Sequence, residues 1–135
     1  MKKVWGFLSI VIFFALLCVP LTAAAATLSG VWKGSANKVT EKGCSVVNVI
    51  FTVKCAKGKV AMGTLIVGNY TVTVLAKIDS RNQLDITSVS DSIYVHLYGE
   101  YVAGTPGKLV IQTSYIHEYP VDLDQEYDTF TLIKQ

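Results

Sequence analysis

Three prolines, three cysteines, two histidines and one arginine are all that 135 residues contain of those types. Charged residues make up only 16%, too few for a coiled coil or a highly charged disordered chain. Pro20, Pro106 and Pro120 stand far apart, which excludes a proline-rich linker. No Cys-x-x-Cys occurs and the histidines are isolated, so the sequence offers no zinc site and calls for no metal or other cofactor. Gly-x-Ser-x-Gly, His-Glu-x-x-His and phosphate-loop patterns are also missing, and without a catalytic motif the chain reads as a non-enzyme.

What is present begins with the N-terminus. Met1-Lys2-Lys3 is a basic start, Val4 to Val19 is apolar apart from Gly6 and Ser9, and Pro20 leads into Ala23-Ala24-Ala25-Ala26. That order is the pattern of a secretory signal peptide. The apolar run is shorter than the roughly 20 residues of a bilayer span. Cys18 follows Leu17, which is not the small residue that a lipoprotein signal carries at that place. We expect residues 1–26 to be the signal peptide and 27–135 a single domain that is secreted or periplasmic, with no membrane attachment after cleavage. Lys2 and Lys3 account for the whole net charge of +2, so the domain itself is neutral.

The domain shows no long amphipathic helix. Short runs rich in Val, Ile, Thr, Tyr and Phe recur between turn residues, predicting strands near 28–36, 44–54, 59–67, 70–78, 83–90, 92–102, 107–117 and 127–134. Lys57-Gly58, Gly68-Asn69 and Asp79-Ser80-Arg81-Asn82 supply turns. Alternation places Val72, Val74, Val95 and Leu97 on buried faces, together with Trp32, Phe51, Ile111 and Phe130. The same alternation puts Leu109, Ile111 and Tyr115 on one face. Eight strands with short links make an all-β antiparallel meander that closes into a small barrel, with a two-sheet sandwich as the rival. Gly63 and Gly99 fall inside strands, where a barrel bends.

The charges segregate along the chain. Residues 27–81 carry eight cations against Glu41 and Asp79, and residues 82–135 carry eight acids against Lys108 and Lys134. The lysines are too few and too poorly interleaved with aromatics for nucleic acid. Asp122-x-Asp124-x-Glu126 lacks the glycine and the final glutamate of a calcium loop.

Gly30-Val31-Trp32, on the first strand of a small exported all-β domain, resembles the lipocalin and wider calycin pattern. That resemblance implies a bend at Gly30, a barrel floor plugged by Trp32, and an open end that takes a small apolar ligand. The arginine that packs on the tryptophan in that family has no counterpart, since Arg81 lies mid-chain. The Leu28-Ser29-Gly30-Val31-Trp32 opening followed by a cysteine also resembles secreted bacterial β-barrel inhibitors of metalloproteases, which implies a protease partner reached by the terminus at Thr27.

Trp32, Tyr94, His96 and Tyr98 are the candidate ligand-binding residues. The last three share a polar strand face with Glu100, and tyrosines so placed suit sugar or protein contacts. The expected function is therefore non-enzymatic binding, of a small apolar ligand or of a protein partner; inhibition of a secreted or host hydrolase is the alternative. Cys44 and Cys55 remain after cleavage, and an exported pair predicts a disulfide. That bridge requires 45–54 to be interrupted, because eleven extended steps span roughly 36 Å.

Overall fold

The computed structural model describes residues 25–40, 43–89, 93–118 and 123–135, without the side chains of 40, 118 and 123–126. The expected signal segment as far as residue 24, Asp122, and the side chains of Asp124 and Glu126 lie outside the described residues. Nine strands follow a 3-10 turn, Ala25–Leu28: β1 (Gly30–Thr40), β2 (Gly43–Lys57), β3 (Val60–Val67), β4 (Tyr70–Ile78), β5 (Gln83–Ser88), β6 (Ile93–Val102), β7 (Lys108–Glu118), β8 (Leu123–Tyr127) and β9 (Phe130–Lys134).

Each strand from β1 to β7 pairs antiparallel with the next, and β1 pairs with β2 on one side and with β8 and β9 on the other. The sheet therefore closes on itself as an eight-stranded barrel. Its eighth member is broken at Asp128–Thr129 into β8 and β9, both of which bridge β7 and β1. Closure pairs the strand edges that an open sandwich would leave exposed. Among the described residues no helix is long and apolar enough to cross a membrane.

The turns follow local chemistry. Gly58 and Gly68 adopt positive φ (61° and 56°) in two-residue hairpins, where a side chain would strain the backbone. At the β4–β5 turn, Asp79 Oδ1 accepts the N–H groups of Arg81 and Gln83 at 2.8 and 2.9 Å, which lets Asn82 sit at φ 61°.

Period-two alternation then fills the interior. β3 contributes Ala61, Leu65 and Val67, β4 contributes Val72, Val74, Ala76 and Ile78, and Trp32, Phe51, Val95, Leu97, Ile111 and Phe130 are buried with them. A fully buried aliphatic or aromatic side chain contributes about 1.5–3 kcal/mol, so this packed interior is what holds the barrel shut.

Two interior glycines sit where strands press closest. A Cβ on Gly63 would collide with the carbonyl oxygen of Thr52, and one on Gly99 with that of Val110. Each lies at a register shift, between Val53 and Cys55 on β2 and between Tyr98 and Gly99 on β6. The second shift sets Tyr98 opposite Thr113 and Gly99 opposite Ile111, which leaves Gln112 as the extra residue of a bulge in β7. One extra residue turns every later side chain to the other face. Tyr115 is therefore exposed rather than sharing the face of Leu109 and Ile111, a correction to the simple alternation.

The disulfide is also corrected. β2 runs unbroken from Gly43 to Lys57, and Cys44 and Cys55 are free and exposed near its two ends. A bridge needs Cα atoms about 4.4–6.8 Å apart, and the continuous strand holds them several times farther.

Candidate functional site

One end of the barrel is closed by the 3-10 turn Ala25–Leu28. Ala25 and Leu28 are fully buried, and Ala25 N–H donates to Gly58 O at 2.8 Å. Trp32, itself fully buried, donates Nε1–H to Leu28 O at 2.8 Å and meets Tyr101 edge-on at 6.3 Å. Lys134 Nζ stands 5.7 Å from the centre of the indole and donates to Thr27 O at 3.4 Å. The cation on the tryptophan face, unassigned in the sequence for want of an arginine, is thus a lysine from the last strand.

The opposite end carries a recess of 440 Å³ lined by Lys38, Asn48, Tyr70 and Tyr127 among others. Burial, with Tyr70 nearby, pushes the Tyr127 hydroxyl up to about 12, so it stays a neutral hydrogen-bonding group.

The richest chemistry lies outside, on β5–β7. Alternation points Gln83, Asp85 and Thr87 of β5 and Tyr94, His96 and Tyr98 of β6 away from the core, and the Gln112 bulge adds Thr113 and Tyr115 of β7. Register aligns them in rows: Lys77, Asp85, Tyr98 and Thr113 form one, and Leu75, Thr87, His96 and Tyr115 the next. Tyr94 and Tyr115 meet edge-on at 5.8 Å, and Tyr115 stacks on His117 at 6.2 Å with 8° between ring planes. His117, opposite Tyr94 and on the same face as Tyr115, is buried beside these rings, and its Nδ1 lies 3.5 Å from Tyr115 Oη.

His96 Nε2 lies 3.0 Å from Asp85 Oδ1. Both atoms are closed to solvent and neither has a well-aligned hydrogen bond, so the contact is a close, off-line approach. Tyr98 Oη donates to Gln83 Oε1 at 3.1 Å. Next to Tyr98 a groove of 320 Å³ opens, with Lys59, Val60 and Lys77 on one wall, Asp79, Gln83 and Asp85 on the other, and Ile78 and Leu84 at its base.

Of the sequence-derived candidates, Tyr94, His96 and Tyr98 come together on this face, whereas Trp32 belongs to the closed floor. Sequence reasoning missed Asp85, Tyr115 and His117, along with the groove lysines. Asp85 was reachable from the 79–82 turn, which fixes its register against Lys77. Among the described residues no three His, Cys, Asp or Glu side chains converge as metal ligands. Compared with known proteins, the chain matches no family model and no curated protein is detectably similar to it.

Proposed function

We propose that this is an exported, non-enzymatic carbohydrate-binding protein of lipocalin-like build that holds its ligand on the outer face of β5–β7 rather than inside the barrel. The lipocalin-like reading draws support from Gly30-Val31-Trp32, from the N-terminal turn against the indole, and from Lys134 on its ring.

The observation that carries the binding reading is the aromatic face itself. Tyr94, Tyr98 and Tyr115 keep 43%, 41% and 38% of their surface exposed, on adjoining strands of a rigid sheet. A sugar ring presents an apolar C–H face and a rim of hydroxyls. Exposed tyrosines meet the first, and the amide, carboxylate and imidazole groups of Gln83, Asp85 and His96 meet the second. A site for a small apolar ligand needs interior space, and the interior positions are taken by Trp32, Phe51, Leu65, Leu97 and Ile111.

A glycan array probed with the domain and with its Tyr94→Ala and Tyr98→Ala variants tests this reading. Binding to a restricted set of glycans, weakened at least tenfold in one of the two variants, is expected. The absence of any glycan binding would overturn it.

A further inference from the structure

The groove beside Tyr98 carries its charges on separate walls, Lys59 and Lys77 on one and Asp79 and Asp85 on the other. Residues 43–78, which form β2, β3 and β4, contain no carboxylate but include Lys54, Lys57, Lys59 and Lys77. Lys59 and Lys77 line the groove, and among the described residues neither forms a salt bridge. The two carboxylates on the opposite wall are each held close to another group of the protein. Asp79 Oδ1 accepts the backbone N–H groups of Arg81 and Gln83. Asp85 stands directly across from Lys77 in the β4–β5 register, yet its Oδ1 turns to His96 Nε2. The Lys59–Lys77 wall, continuous with the carboxylate-free β2–β4 segment, therefore offers a ligand two ammonium groups, with the Tyr98 ring and the Gln83 amide lining the same groove. Its 320 Å³ lies within the about 300–1,000 Å³ of small-molecule sites.

We propose that this groove binds an anionic sugar unit: the negative group, a carboxylate or a sulfate ester, lies between Lys59 and Lys77, and the ring stacks on Tyr98. The proposal rests on the carbohydrate reading above and gives it a ligand class. Charge-assisted hydrogen bonds are stronger and shorter than neutral ones, so the anion provides selectivity and the ring contact provides affinity common to all sugars. The positive face of β2–β4 also draws anions toward the groove, an effect that salt screens.

Calorimetric titrations with tetragalacturonate, its fully methyl-esterified form, a sulfated galactan tetramer and tetraglutamate make the test. At least one acidic sugar is expected to bind at least tenfold more tightly than the ester, and which one does so separates carboxylate from sulfate. The Lys59→Gln/Lys77→Gln double variant should fall to the affinity of the ester, and Tyr98→Ala should weaken the acidic sugars and the ester alike. Circular dichroism melts confirm that these exposed-site variants are folded. Equal binding of acidic sugars and ester would overturn the anion inference while leaving the carbohydrate reading in place. Binding of tetraglutamate as tight as that of the acidic sugars would reduce the groove to bulk charge and overturn it too. Failure of every sugar to bind would remove both.

Discussion

Replacing Gly99 by alanine adds one methyl group at the place where β6 and β7 press together. That methyl would overlap the carbonyl oxygen of Val110 and approach Ile111 Cα and Val110 C to 2.9 Å. All three are backbone atoms, so no rotamer change can make room, and the strands themselves must part. Overpacking of a core costs about 1–3 kcal/mol, occasionally more, and the rigidity of this neighbour places Gly99→Ala near the upper end, at about 3 kcal/mol. Relief from lost glycine entropy offsets only about 0.5–1 kcal/mol. With a urea slope of about 1.5 kcal/mol per molar, the net loss of about 2–2.5 kcal/mol should lower the unfolding midpoint by roughly 1.3–1.7 M. Urea unfolding followed by circular dichroism measures it, with Val102→Ala as an exposed control on the same strand. The bulge that turns Tyr115 outward starts at this contact, so saccharide affinity should fall as well. A Gly99→Ala protein within 0.5 kcal/mol of the parent would show that the strands do not approach as described.

Three further outcomes follow from the closed floor, the open mouth and β2. Trp32→Ala should lose about 3–5 kcal/mol, and Trp32→Phe should lose about 1–3 kcal/mol for the buried Leu28 carbonyl left without its donor; both are read from urea midpoints. Because Tyr127 is raised from 10.0 to about 12 in the fold, its neutral form supports stability fully below pH 10, and that support is lost as pH rises through 12. Thermal melts from pH 9 to 12 should show this alkaline loss shrink in Tyr127→Phe. Intact-mass measurement after alkylation without reductant should find Cys44 and Cys55 both labelled.

The hairpins at Gly58 and Gly68 and the buried set of Trp32, Phe51, Val72, Val74, Val95, Leu97, Ile111 and Phe130 were legible because turn chemistry and period-two alternation are local signals. Gly63 and Gly99 stood out in the sequence as glycines inside strands, where a bend was expected; that each marks a close backbone approach came only from the structure. The Gln112 bulge was not. One extra residue leaves no trace in composition, and it moved Tyr115 from the expected interior to the outer face. The Asp85–His96 contact joins two strands through a diagonal of the register, which the spacing along one strand cannot show. The Cys44–Cys55 expectation weighed the habits of exported proteins above the length of an uninterrupted strand, and the strand prevailed. The lysine over the indole was not legible either, because Lys134 reaches Trp32 from the far end of the sequence.

The most direct test of the outer-face account is a nuclear magnetic resonance titration of the labelled domain, following backbone amide shifts as tetragalacturonate is added. The account expects shifts concentrated at 83–87, 94–98 and 113–117, with those near Lys59 and Lys77 moving in step. Shifts confined to the mouth at 46–48 and 67–70, or to the floor around Trp32, would contradict it.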